Sequence, residues 1–348
     1  MADGTRKVLT RDGKGQIAVV EEDAPGPKKG QVQIEVKASL ISPGTELGGV
    51  KRSRENPTDR PARPFGYANA GVVIGQGEGC EDVPLGTRMA CMGGGYAEHA
   101  SLACVPRNMA IPMPDDLSFD HAAFVTLAAT ALNAIRRAKL EFAEFLGVAG
   151  LGVVGQMSCQ LGRLSGCHVI GMDRLPMRLS AAEEGGLERP LNIDEEDAVE
   201  VSKTFTRGYG LDAGIIAHGG DGNPAFNTLY GMLKQAPDTH KMGRIVIVGG
   251  ARIDSGFAAS RGNIDVRSAA RTGAGYHDEA WEHGADYPPV FVQWTTTRNL
   301  EECLILLDNG GLRVEPLITH RSSLDDAPAA CEDLIQCPNE SLGVVIHP

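Results

Sequence analysis

The stretch that decides the fold is Phe145–Asp173, FLGVAGLGVVGQMSCQLGRLSGCHVIGMD. An apolar run, Phe145–Ala149, leads into Gly150-Leu151-Gly152-Val153-Val154-Gly155, which matches G-x-G-x-x-G. In a chain with 44 glycines the motif alone says little. Here it follows a predicted strand and opens a predicted helix, the context in which it binds a dinucleotide. Gly150 permits the tight turn, Gly152 lets the backbone approach a pyrophosphate, and Gly155 lets the helix pack closely on the strand. The pyrophosphate is expected at the helix N-terminus, where free N–H groups and the helix dipole favour negative charge.

The second apolar run, HVIGMD, ends in Asp173, and 173 − 150 places it 23 residues beyond the first glycine. That is close to the spacing of about 20 expected for a carboxylate that accepts from a ribose 2′-hydroxyl and repels a 2′-phosphate. NAD is therefore expected over NADP. Arg174, directly after it, is a residue type that can serve a phosphate instead. His218, closing the run LDAGIIAH, is expected at the carboxyl edge of the sheet, where it contacts the cofactor or caps the strand. Arg178 and Gly249 complete the expected cofactor contacts.

Outward from this segment, apolar runs of four to six residues alternate with helical stretches: VVGQMSCQLGRLSG, RLPMRLSAAEEGG, LDAGIIAHGG, PAFNTLYGMLKQ and GRIVIVGG. This predicts parallel strands covered on both faces, a doubly wound sheet. Between Val8 and Pro114 the pattern is different, with short alternating runs such as QVQIEVKASLI broken by Gly and Pro, which predicts an antiparallel, partly closed β architecture. SFDHAAFVTLAATALNAIRRAKL, Ser118 to Leu140, is free of Gly and Pro and reads as one helix capped by Ser118. The remaining tail, with LEECLILLDNGG, EPLITHR and LGVVIHP, is too short for a third domain and is expected to rejoin one of the first two.

The 348 residues suit two domains, and a net charge of −12 disfavours nucleic acid or an anionic membrane as the main partner. No run approaches the length of a membrane span, so a soluble cytoplasmic protein with a small-molecule substrate is expected. The eight cysteines form no CxxC pair and read as reduced, mostly buried thiols.

Taken together, GQVQIEVKAS, GYANAGVVIGQGEG, YAEHASL, FVTLAATALNAI, GVAGLGVVGQMSCQLGRLSGCHVIGMD, RGYGLDAGIIAHGG, GRIVIVGG and LITHR resemble the medium-chain dehydrogenase/reductase, or alcohol dehydrogenase, superfamily nearly end to end. The resemblance implies a GroES-like β-barrel domain, residues 1–120 completed by 296–348, and a Rossmann domain, residues 121–295. It also implies hydride transfer between a nicotinamide and a carbonyl or alcohol carbon, and a homo-oligomer, dimer or tetramer.

Zinc members of that superfamily carry a Cys in the loop that reads here Ile41-Ser42-Pro43-Gly44-Thr45-Glu46-Leu47, and a His-Glu pair where this chain has Tyr67-Ala68. A hydroxyl, a pyrrolidine ring and a phenol cannot form the thiolate and imidazole set that holds catalytic zinc. The four-Cys lobe of a structural zinc is missing too, so no metal is expected. SPGTE resembles a zinc-independent subgroup that includes bacteriochlorophyllide-type and sugar-pathway dehydrogenases. The resemblance makes Thr45 the hydroxyl that meets the substrate oxygen. Tyr67 is a candidate donor to that oxygen, or an acceptor if its pKa falls, and Glu46 is a candidate proton acceptor or a pin for the loop. Each of the three has an ordinary structural role as its competitor.

A second candidate region, Gly273–Pro289, gathers His277, Asp278, Glu279, His283 and Asp286, and is expected to wall a polar pocket. The resulting expectation is an NAD-dependent, zinc-independent oxidoreductase interconverting a secondary alcohol and ketone on a sugar- or polyol-like substrate. The alternatives are an NADPH-dependent quinone or enoyl reductase of the same fold, and a non-catalytic nucleotide-binding protein.

Overall fold

The computed structural model describes residues 4–254, 256 and 258–348. The chain begins with β1 (Thr5–Arg11), β2 (Ile17–Asp23) and β3 (Gln31–Leu40), then a single π-turn over Pro43–Leu47 that runs into α1 (Gly48–Glu55). Next come β4 (Arg63–Pro64), β5 (Ala68–Gln76), β6 (Arg88–Met92), β7 (Leu102–Pro106) and β8 (Ala110–Pro112). Two helices, α2 (Phe119–Ala122) and α3 (Val125–Ala138), lead to the alternating region: β9 (Phe145–Ala149), α4 (Val153–Leu164), β10 (His168–Asp173), α5 (Pro176–Glu184) and β11 (Arg189–Asn192). It continues with α6 (Ala198–Phe205), β12 (Ala213–Ile216), the short β13 (Gly220–Asp221), α7 (Asn223–Met232), β14 (Met242–Val248), the short β15 (Ala251–Arg252) and β16 (Asn263–Ala269). The return is α8 (Glu279–Glu282), α9 (Thr296–Asp308), β17 (Ile318–Ser323), α10 (Ala327–Gln336) and β18 (Gly343–His347).

The chain divides into two compact units, one of residues 1–129, 272–310 and 317–348, the other of residues 130–271 and 311–316. In the second unit six parallel strands lie in the order β11-β10-β9-β12-β14-β16. Numbered within this sheet, that is 3-2-1-4-5-6, the doubly wound order whose direction reverses between β9 and β12. The strands are apolar throughout because helices cover both faces: every residue of β9 and of β12 is buried. Phe145, Ile170, Leu191, Ile216, Phe226, Leu229 and Ile245 share one core, each fully buried aliphatic contributing about 1.5–3 kcal/mol.

The first unit is antiparallel around β3, which pairs with β5, β7 and β18. In β3 the exposed residues are Glu35 and Lys37, and Val32, Ile34, Val36 and Ala38 are buried, as the alternation predicts. The returning tail supplies β17 and β18 to this sheet, and Val344 and Ile346 join Leu9, Ile41, Leu47 and Phe65 in a core of its own.

Two expectations need correction. The stretch 118–140 is two helices, not one. Ser118 does cap the first, accepting from the His121 amide, but the chain bends at Ala123–Phe124 and buries the Phe124 ring completely. Packing makes that break without any Gly or Pro. The other correction concerns the boundaries 121 and 295: the structure divides at 129/130 and 271/272, so residues 272–295 belong with the β-rich unit. They are held there by non-local bonds: Gly94 N–H donates to the Tyr276 hydroxyl (2.8 Å), Tyr96 Oη to Glu282 Oε2 (3.1 Å) and Asn108 Nδ2 to the Ala285 carbonyl (3.0 Å).

Candidate active site

At the carboxyl end of β9 the chain makes the turn that the glycines require. Gly150 has φ +92, and a Cβ on Gly155 would lie 1.8 Å from the Gly150 carbonyl oxygen, so the helix can sit this close only without a side chain. A Cβ on Gly152 would meet nothing within 4 Å, so the backbone there faces open space. Gly152 stands at the N-cap of α4 with no side chain capping the first turn, leaving the amides around Val153 and Val154 available to an anion. His218 follows β12 and Gly249, at φ +88, follows β14, so both lie on the same sheet edge. The His218 Cβ lies 3.2 Å from where a Cβ on Gly150 would be, and its Nδ1 is 2.9 Å from the Gly219 carbonyl oxygen. These residues fit a dinucleotide.

Asp173 does more than end β10. Its Oδ2 accepts from the Leu151 amide at 2.8 Å, and its Oδ1 accepts from the amides of Arg174 and Leu175 at 2.8 and 3.1 Å. Arg178 Nη1 approaches Oδ2 at 3.5 Å, and Arg178 Nε is buried without a partner. The carboxylate thus fastens the glycine turn to the neighbouring strand, a second use that spacing to Gly150 does not reveal. Arg174 is exposed.

In the other unit the SPGTEL segment forms a buried polar cluster. Glu46 Oε2 accepts from the Ser42 amide at 2.7 Å and lies 3.2 Å from His99 Nε2, while His99 Nδ1 is 2.9 Å from Ser39 Oγ. Glu46 is 6% exposed and its Oε1 is buried without a partner. Phe65 meets the His99 ring edge-on at 5.5 Å. Tyr67 donates its hydroxyl to Ser42 Oγ at 2.5 Å, and Thr45 is exposed.

The surroundings of the Tyr67 phenol favour its protonated form. Burial, and then the Glu46 carboxylate, raise it well above the ordinary phenol range, and the hydroxyls of Ser42 and Thr45 only temper the rise. This direction favours the donor role that the sequence allows Tyr67 over the acceptor role, which requires a fall in pKa. His99, the side-chain partner of Glu46, and Ser39, which holds the other ring nitrogen of His99, went unread in the sequence because 53 residues separate Glu46 from His99 and no local pattern joins them.

The 273–289 segment is bonded within itself and to residues 94, 96 and 108. Asp278 caps α8 and accepts from the Tyr287 hydroxyl (2.6 Å), His283 Nδ1 lies 2.9 Å from the Glu279 carbonyl oxygen, and buried Glu282 accepts from the His277 amide (2.8 Å) as well as from Tyr96. Among the described residues no three His, Cys, Asp or Glu side chains gather as a metal-binding group. Pro43, Tyr67 and Ala68 do not fit zinc.

Comparisons with known proteins agree with this architecture. Residues 153–285 match the family model described as zinc-binding dehydrogenase, a match confined to a stretch that holds none of positions 42, 43, 67 and 68. Sorbitol dehydrogenase of Bacillus subtilis is 27% identical over 242 residues, 68% of this chain and 59% of that protein, so the chain spans less than two thirds of its length. YphC of Escherichia coli, an uncharacterised zinc-type alcohol dehydrogenase-like protein, is 25% identical over 90% of this chain and 91% of its own. Among solved structures, an Escherichia coli oxidoreductase/dehydrogenase of unknown specificity, ECK1772, superposes with a TM-score of 0.82 over 99% of both chains at 18% identity, a likeness of fold. These likenesses support the medium-chain dehydrogenase/reductase superfamily for this chain.

Proposed function

We propose that this protein is a nicotinamide-dependent dehydrogenase that interconverts a secondary alcohol and a ketone on a polyol- or sugar-like substrate, with NAD preferred and without catalytic zinc. The observation that carries the reading is the open glycine turn at the reversal point of a 3-2-1-4-5-6 sheet, with unpartnered amides at the start of α4. The likeness to sorbitol dehydrogenase supports the substrate class.

The nicotinamide, when bound, accepts or donates the hydride. Gly150–Gly155 would hold its pyrophosphate and Asp173 its ribose. The Asp173 charge, fixed by three amides, disfavours a 2′-phosphate in the same place. Proton handling falls to the hydroxyl cluster. Tyr67, kept protonated, turns its hydroxyl proton from Ser42 Oγ to the substrate and stabilises the negative oxygen of the alkoxide through a hydrogen bond, the task a Lewis acid performs in the zinc enzymes. Thr45, exposed beside it, passes the alcohol proton to solvent. Glu46 holds the loop by its bond to the Ser42 amide.

The test is a panel of polyols and their ketones assayed with NAD and NADP. The reading expects turnover with NAD in preference to NADP. In Asp173→Asn, NAD affinity is expected to fall more than NADP affinity. Equal loss of both would leave Asp173 as a pin for the glycine turn and remove the ribose assignment. Reduction of quinones or activated C=C bonds with NADPH, and no polyol turnover, would favour the rival activity of this fold. Cofactor binding without turnover of any substrate class would favour a sensor.

A further inference from the structure

The first unit holds a pocket of about 480 Å³ that the hydride chemistry does not use, lined by Arg11, Arg52, Arg60 and Arg63 together with Thr58 and Phe65. Its volume lies in the range of small-molecule sites, about 300–1,000 Å³. Four arginines around one pocket are out of keeping with a chain of net charge −12. Other arginines of the same unit, Arg6, Arg54 and Arg107, each reach a carboxylate. The guanidinium groups of Arg52, Arg60 and Arg63 form no hydrogen bond or ion pair among the described residues.

The backbone enforces this crowding. Arg11 on β1 and Arg63 on β4 are paired directly across an antiparallel ladder, where like charges repel. Gly13 N–H donates to the Arg60 carbonyl at 3.0 Å and its carbonyl accepts from the Thr58 amide at 2.9 Å, so the 58–60 segment is stitched to the β1–β2 turn. Arg11 is pre-set: its Nη1 donates to the Glu46 carbonyl at 3.2 Å, and the guanidinium lies where a Cβ on Gly49 would be, 1.9 Å away. Acidic groups do not cancel the charge. Asp12, also on the pocket wall, is occupied by the amides of Lys14 and Gln16, and Asp59 lies 3.5 Å from Lys14 Nζ. A like-charge pair without a counter-ion breaks a local rule, and such breaks are expected where a ligand supplies the compensation.

We infer that this arginine pocket binds the oxyanion group of the substrate, so that the alcohol oxidised is carried on a polyol or sugar bearing a phosphate ester or a carboxylate. The inference rests on the proposed dehydrogenase reading for its second half. Two connections tie the pocket to the hydroxyl cluster. Phe65 forms its wall and is followed by Gly66 and Tyr67, and Arg11 is bonded to the loop that carries Thr45. Guanidinium forks suit either oxyanion, because both offer two acceptor oxygens to parallel N–H donors.

Two measurements on the full chain test it. Calorimetric titration with inorganic phosphate is expected to show binding that weakens roughly tenfold or more in Arg60→Gln/Arg63→Gln. Gly49→Ala, which favours the helix while displacing the Arg11 guanidinium, is expected to weaken it as well. Lys29→Gln/Lys37→Gln, with the same change in net charge elsewhere in the unit, is expected to leave it unaltered. Initial rates with sorbitol 6-phosphate, gluconate and sorbitol are expected to favour one of the two anions over sorbitol, and the preferred anion names the oxyanion. The advantage is expected to disappear in Arg60→Gln/Arg63→Gln. Absent phosphate binding, or binding indifferent to the arginines, overturns the site. Arginine-dependent phosphate binding with sorbitol turned over as well as either anion overturns the substrate-anchoring role. Turnover of none of the three would count against the dehydrogenase reading, while the pocket would still stand or fall on the calorimetry.

Discussion

The glycine turn at Gly150–Gly155 and the hydroxyl cluster around Ser42 and Tyr67 are built on opposite principles. The first is made of backbone: a positive φ, a close helix approach and free amides, with Asp173 as its one essential side chain. The second is made of side chains from four separated places, Ser39–Glu46, Phe65–Tyr67, His99 and Tyr276. Backbone chemistry tolerates few alternatives and leaves a compact motif. Side-chain chemistry assembled from distant residues leaves no compact motif.

The comparison breaks most visibly at Gly155. Gly155→Val puts a branched side chain where even a Cβ would lie 1.8 Å from a backbone oxygen, so α4 must move off β9. The expected result is loss of measurable NADH binding by fluorescence titration, with a lower melting temperature. Unchanged affinity would show that the turn does not hold the cofactor.

Next in size is Tyr67→Phe. If the phenol stabilises the alkoxide, kcat falls by about 10²–10³-fold while NADH affinity is kept. A loss of twofold or less would make the ring a packing residue. The pH dependence follows from the direction of its shift. With its pKa raised, the phenol stays protonated at neutral pH and loses the donor form only as pH rises beyond the ordinary phenol value of about 10. Ketone reduction in the wild type should therefore show no Tyr67-dependent fall between neutral pH and about 10, which a stopped-flow pH profile in both proteins checks.

Glu46→Gln is expected to have the smallest effect on rate. It weakens a charged bond to the Ser42 amide and disturbs the contact with His99, costing roughly 1–3 kcal/mol of stability in a chemical denaturation series. A collapse of kcat with stability preserved would make Glu46 the proton carrier and displace Thr45 from that role.

Much of the dinucleotide end was readable because its signals are local. Strand, turn and helix follow one another within 29 residues, and the apolar runs betray strands buried on both faces. The residues standing at the zinc positions of the superfamily, Ser42 or Pro43, Tyr67 and Ala68, are likewise read directly from the sequence. Three things were not. The bend at Phe124 is imposed by packing in a sequence without a breaker. The return of residues 272–295 to the β-rich unit depends on Tyr276, Glu282 and Asn108 finding partners far along the chain. The arginine pocket draws on β1, α1 and the 56–65 segment, and no one of these stretches looks like a site by itself.

The central claim is that hydroxyl groups do here what zinc does in relatives. Elemental analysis of the purified protein, paired with turnover before and after exhaustive chelation, tests it most directly. The account predicts substoichiometric zinc and an unchanged rate. One tightly held zinc per chain, with activity lost on its removal and restored on its return, would contradict it.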